Sequence, residues 1–225
     1  QRFAHKFDLL IVFPPIFSAA TRFFVEVVSE GVVDVIPQLT ASISLLLETA
    51  AQYSVDQLKD LLPALVSPIV ITSQVGVLVE TILKSLVTKL TFDKLFYPFA
   101  MAFKMRYKDV DSMELLLRML RKVFKRANNH LIKENVENVT KLFIAIFSNV
   151  DADFAKTMRI HRRSTKACVT YADRLQRNEM GNMLKALNSY FMTVTELSQK
   201  DFMVNRVLWS HLFWGFSECL KDMVT

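Results

Sequence analysis

The chain has 225 residues, 52% of them apolar, and carries a net charge of +6 with a sequence pI near 9.3. Its length suits one large domain or a segment of a longer array, with ample apolar side chains for a continuous core. Only 4 glycines and 6 prolines leave too little turn material for an all-β fold. Two cysteines, Cys168 and Cys219, offer neither zinc-ligand spacing nor a disulfide framework, which fits a reducing intracellular compartment.

In chain order the expected elements are helices. The start, Gln1-Arg2-Phe3-Ala4-His5-Lys6, runs straight into amphipathic sequence without a methionine or a secretory signal, so it reads as cut from a longer chain. Four apolar-apolar-proline steps follow: Val12-Phe13-Pro14, Val35-Ile36-Pro37, Leu61-Leu62-Pro63 and Phe96-Tyr97-Pro98. The intervals between these prolines are 23, 26 and 35 residues, too uneven for one strict repeat but suited to degenerate helix pairs. A proline inside a helix removes one donor and bends the axis, a device that recurs where packed neighbours favour curvature.

Ile16 to Ser29 places Phe17, Ala20, Phe24, Val27 and Val28 on one stripe. Pro37 suits a first helical turn ahead of Leu39, Ile43, Leu46 and Leu47. Ser54 with Gln57 has the form of a capping box before Leu58, Leu61 and Leu62. Leu61 to Val79 is uncharged for 19 residues, close to bilayer length, yet its Pro63, Ser67, Pro68 and Gly76 favour two short buried helices meeting at a Ser-Pro turn. Ser73 to Leu90 is expected to be buried over most of its circumference.

Thr91 is an N-cap candidate for a helix bearing Phe92, Leu95, Phe96, Phe99 and Phe103. Asp111 or Ser112 opens the next, with Met113, Leu116, Leu117, Leu120 and Phe124 inward, broken at Asn128-Asn129-His130. Val136 to Phe147 forms a stripe closed by Ser148-Asn149. Helices over Phe154–Gln176, Glu179–Thr193 and from Ser198 complete the chain. No segment alternates with period 2, so no sheet is expected. The whole, residues 1–225, reads as a single all-α, HEAT-like α-solenoid of stacked antiparallel helix pairs, about eight to eleven helices in number.

Charge is concentrated in the middle. Residues 101–180 hold 17 basic and 9 acidic side chains, whereas residues 1–100 are slightly acidic. Arg118, Arg121, Lys122, Lys125 and Arg126 fall opposite the Leu116/Leu120/Phe124 stripe. With Lys104, Arg106 and Lys108 before them they form a candidate ridge for RNA or an acidic partner. A second cluster, Arg159, His161, Arg162, Arg163 and Lys166, is expected near a helix start or loop. Such ridges attract phosphate backbones without reading sequence, and they also keep an apolar domain soluble. With no aromatic interleaved among them, base stacking is not expected.

Trp209, Phe213 and Trp214, with Phe216, are candidate docking aromatics that also fit an ordinary core stripe. His5, His130, His161 and His211 lack metal-ligand spacing, and no phosphate loop or nucleophile elbow is present. The sequence therefore offers no catalytic, cofactor-binding or metal-ligating residues, and no small-molecule substrate or membrane partner is expected.

One family resemblance runs through the chain in order. Leu61-Leu62-Pro63 with Ser67-Pro68, then Leu95-Phe96-Tyr97-Pro98, resemble leucine-proline helices of one family. Leu131 to Phe147, closing on Asn149-Val150-Asp151, is similar to another of its helices. So are Arg206-Val207-Leu208, Leu212, Glu218-Cys219-Leu220-Lys221 and Thr225 to its C-terminal elements. The family is that of the very large HEAT-repeat scaffold subunit of the small-subunit processome, here as a divergent member. Its Phe-Arg-Pro-Leu-Phe step is replaced by Glu179-Met180-Gly181-Asn182-Met183-Leu184. The resemblance implies a nucleolar, non-enzymatic scaffold in ribosomal RNA transcription and processing, held among other protein subunits with weak RNA backbone contacts. The alternatives are another HEAT-type adaptor, of the tubulin-binding or transport-receptor kind, and a membrane-associated helical protein.

Overall fold

A computed structural model describes residues 4–50, 57–148 and 153–195. Among these residues the fold is all-α, with eleven α-helices, one 3-10 turn and no strand. It divides into two compact units, Gln1–Leu116 and Leu117–Thr225.

In the first unit, α1 (Ala4–Glu30) carries Pro14 and Pro15 in its interior. It buries Phe17, Thr21, Phe24 and Val28, spaced three and four residues apart. It stops at Gly31, whose φ of 74° is the left-handed conformation that ends many helices, and the Val32 N–H reaches back to the Val27 carbonyl at 3.1 Å. A 3-10 turn, Val33–Val35, leads into α2 (Ile36–Ala50), with Pro37 in its first turn. Ile36, Thr40, Ile43 and Leu47 form the buried side of α2.

The uncharged stretch 61–79 resolves into the end of α3 (Leu58–Leu65), the single turn α4 (Pro68–Ile71) and the start of α5 (Gly76–Lys89). The break falls at Ser67-Pro68, where the sequence placed it. Pro68 at the helix start costs no hydrogen bond, because a first-turn N–H has no helical partner. No helix among the described residues is long and apolar enough to cross a membrane. α3 is buried along Leu61–Leu65 and lies against α1 and α6 (Phe92–Met105), while α2 packs on α1 and α5.

α5 departs from expectation. It buries only Val79, Ile82, Leu83, Leu86 and Val87, leaving Val77 81% exposed, so it is amphipathic rather than enclosed. Val77, Thr81, Lys84 and Thr88 make its outer face, and the alternation of Thr with apolar residues hid that face in the sequence.

Two side chains fasten the end of α3, whose last carbonyls lack helical donors. Arg106 Nε donates to the Pro63 carbonyl at 2.8 Å, and Ser112 Oγ to the Val66 carbonyl at 2.6 Å. All six prolines lie within helices: Pro14, Pro15, Pro63 and Pro98 in interiors, Pro37 and Pro68 in first turns.

α7 (Val110–Arg126) runs from the first unit into the second. α8 (Asn129–Glu134), α9 (Val136–Phe147), α10 (Phe154–Ala172) and α11 (Arg177–Thr195) follow, with α9 lying against α8, α10 and α11. Asn128 caps α8 by accepting from the His130 N–H at 3.0 Å. Asp153 caps α10 by accepting from the Ala155 and Lys156 N–H groups. Thr91 stands at the N-cap of α6 with extended backbone but makes no side-chain cap bond. The Ser54 half of the expected capping box, like the helix from Ser198, lies outside the described residues.

The core of the second unit is aromatic. Phe124 stands 4.8 Å from Tyr171 and 6.2 Å from Phe143 between ring centroids, and Phe143 stacks on Phe147 at 6.1 Å. Each ring is fully enclosed, and burying one contributes on the order of 1.5–3 kcal/mol.

Candidate functional site

The basic residues singled out in the sequence separate into three groups. On α7, Arg118, Arg121, Lys125 and Arg126 are exposed and Lys122 is half-buried, opposite the enclosed Leu116, Leu120 and Phe124. The pattern expected from the sequence is therefore present. On α10, Arg159, Arg162, Arg163 and Lys166 are likewise exposed. They occupy the middle of a nineteen-residue helix, not a helix start or loop as the sequence suggested. His161 is fully buried there, with Phe147 edge-on at 5.6 Å, so it does not belong to the cluster.

Lys104, Arg106 and Lys108 belong to the first unit. Lys104 and Lys108 are exposed, but Arg106 is tied to the Pro63 carbonyl and to Asp109 at 4.0 Å, so its charge serves the fold. Aromatics do stand among these residues, contrary to expectation: Tyr97 is 59% exposed on the Lys104 face of α6, and Lys108 Nζ lies 5.5 Å from the Tyr107 ring centre.

The α7 and α10 clusters share one spacing. Arg118, Arg121, Lys122 and Lys125 form the pattern Arg-x-x-Arg-Lys-x-x-Lys, and Arg159, Arg162, Arg163 and Lys166 repeat it as Arg-x-x-Arg-Arg-x-x-Lys, each residue 41 positions after its counterpart. The buried positions follow the same offset, Met119, Leu120, Val123 and Phe124 matching Ile160, His161, Ser164 and Thr165. It continues into the next helices. α9 begins at Val136 and α11 at Arg177, and buried Val139, Leu142 and Ile146 match buried Met180, Met183 and Leu187. Along the tetrads α7 and α10 thus share one pattern of inside and outside, and α9 and α11 share it at these three positions, whereas buried Phe143 and Phe147 correspond to half-buried Leu184 and exposed Asn188. Its signal in the sequence was the basic tetrad, because the apolar positions had drifted to His, Ser and Thr.

Contacts bring the last turns of α7 and α10 together. Arg121 Nε donates to Thr170 Oγ1 at 2.9 Å, Phe124 meets Tyr171, and the Arg174 guanidinium reaches the Ala127 carbonyl at 2.8 Å. The partners advance in the same direction on both segments, so the ends of α7 and α10 run in the same sense.

Arg174, which no sequence signal marked, closes the end of α7. Its Nη1 donates to the Phe124 and Lys125 carbonyls at 3.0 and 2.9 Å, and its Nε to Asn129 Oδ1 at 3.2 Å. These carbonyls lack helical donors, and a cation also favours the negative end of the helix dipole. The Tyr171 hydroxyl donates to the Ile132 carbonyl. Burial, with the nearby Glu179 and Cys168 charges, pushes the Tyr171 hydroxyl pKa far above the usual phenol value.

Among the described residues no group of three or more His, Cys, Asp and Glu side chains could hold a metal ion. A cleft of about 20 Å³ between α2 and α5, lined by Leu47, Glu48, Thr81 and Ser85, has room for about one water. Trp209, Phe213 and Trp214 lie outside the described residues. No known family, curated protein or solved structure matches the chain.

Proposed function

We propose that the chain is a non-enzymatic helical-repeat scaffold of HEAT type, whose outer helix faces dock other subunits of a large assembly. The partly repeated helix pair of the second unit, with its duplicated outward-facing basic tetrad, carries this reading. Successive pairs that share one inside-outside pattern build a continuous core and leave a long surface for partners. The ordered leucine-proline steps favour a processome-like scaffold acting in ribosomal RNA transcription and processing in the nucleolus, with protein contacts dominant and RNA backbone contacts secondary.

Affinity purification of the intact protein from cells tests the reading. Recovery with nucleolar proteins and precursor ribosomal RNA is expected. Recovery with tubulin or nuclear transport factors would instead assign the adaptor alternative, and an enzymatic activity that purifies with the chain would overturn the scaffold reading.

A further inference from the structure

We infer that the outer faces of α7 and α10 together form a sequence-independent docking track for a nucleic-acid phosphodiester backbone. The inference rests on the scaffold reading and deepens it by naming one partner chemistry and the residues that meet it.

Three observations combine. First, the track is built twice: each helix presents two turns of cations at i, i+3, i+4 and i+7, which fall within about 100° of arc at 100° per residue. Second, the helix turns that carry Arg121, Lys122, Lys125, Arg162 and Lys166 contain no acidic residue of their own. No acidic residue occurs from Leu115 to Lys133, and none occurs in α10.

Third, the contacts join the two tetrads end to end. Thr170 Oγ1 accepts from Arg121 Nε and itself donates to the Lys166 carbonyl at 2.8 Å. Lys166, the last member of the α10 tetrad, therefore sits one helical turn from the residue that Arg121 of the α7 tetrad touches. The register of the contacts, 121 with 170 and 124 with 171, exceeds the 41-residue offset of the tetrads by about two turns. The cations consequently run as a diagonal, from Lys125 and Lys122 through Arg121 to Lys166 and Arg162. At 1.5 Å per residue, and with neighbouring helix axes 8–10 Å apart, that diagonal measures roughly 20 Å. A duplex presents on the order of ten phosphates over such a length.

Two features favour nucleic acid over an acidic peptide. Five of the eight tetrad residues are arginine, whose planar fork matches phosphate oxygens in pairs. Both rows are also fixed on helices, so their spacing suits a polymer of regular charge better than a chain of scattered carboxylates. The outward tetrad positions carry no aromatic, so the track grips backbone without stacking bases, and duplexes should bind irrespective of sequence.

The test measures binding of the intact chain to a 20-base-pair RNA duplex, a DNA duplex and a poly-glutamate peptide across a salt series. Two variants are compared, one with Arg121, Lys122, Lys125, Arg162 and Lys166 changed to Gln, and a control with Lys59, Lys84, Lys89 and Lys94 changed to Gln. The track variant should lose affinity for both duplexes by at least about tenfold and flatten the salt slope by roughly 3. The control should lose far less, with helical circular dichroism preserved in both. Equal losses in the two variants, no loss in the track variant, or tighter binding of poly-glutamate than of either duplex would overturn the inference. If the track variant misfolds, a triple Lys122→Gln, Arg162→Gln, Lys166→Gln variant, which keeps the Arg121–Thr170 bond, must still show a loss. Retained co-purification of protein partners by the track variant separates this inference from the scaffold reading itself.

Discussion

Arg174 ties the end of α10 to the end of α7. Its guanidinium satisfies three backbone carbonyls at the end of α7 as well as the Asn129 side chain. Replacing it with alanine leaves the part-buried Phe124 and Ala127 carbonyls without this donor, and should destabilise the second unit by about 1–3 kcal/mol in urea unfolding. Arg174→Lys should recover only part of this, because one ammonium cannot reach all four acceptors. Tyr171 gives a prediction in pH. Its raised pKa means that folding favours the neutral phenol, so its contribution is complete below the unfolded value near 10 and declines as pH rises beyond it. Tyr171→Phe should cost about 1 kcal/mol at pH 7 and lessen the loss of stability between pH 10 and 12. An unchanged alkaline limb in chemical unfolding would remove Tyr171 from the account. Neither residue was legible beforehand, since each acts through backbone carbonyls 39 to 50 positions away.

At the scale of elements, most helices were legible because apolar spacing and caps agree. The Asn128 break, the Ser67-Pro68 break and the α9 stripe fall where the periodicity puts them, and the Glu137–Lys141 pair adds an exposed i, i+4 contact. The prolines were legible as helix residues for a physical reason. First-turn prolines lose nothing, and interior ones are tolerated where packing holds a bent helix. What failed was the circumference of α5 and the position of the second basic cluster. Threonines on α5 read as neutral filler, and Ser164 and Thr165 disguise the buried side of α10, where they donate to the Ile160 and His161 carbonyls one turn back. The junction before α5 yields a further prediction. A Cβ on Gly76 would stand 2.3 Å from the Ile71 carbonyl oxygen, whereas one on Gly181 in α11 meets nothing within 4 Å. Gly76→Ala should therefore lower stability by about 1–3 kcal/mol, and Gly181→Ala should raise it by about 0.5–1 kcal/mol, as thermal melts would show.

For the molecule as a whole, the all-α class was legible from scarce turn residues and the lack of period-2 alternation, and the described residues form helices without a strand. The 41-residue correspondence was not, because its buried positions drift from apolar residues to His161, Ser164 and Thr165 and only the cations keep the spacing. The docking account depends on α7 and α10 lying together with their basic faces on one side. Pulsed electron paramagnetic resonance between spin labels at Lys122→Cys and Arg163→Cys, in a chain with Cys168 and Cys219 changed to alanine, measures this directly. Neighbouring axes and a two-turn stagger predict a single narrow distribution centred at roughly 15–25 Å. A broad distribution, or one centred beyond about 40 Å, would contradict the paired faces and the track built on them.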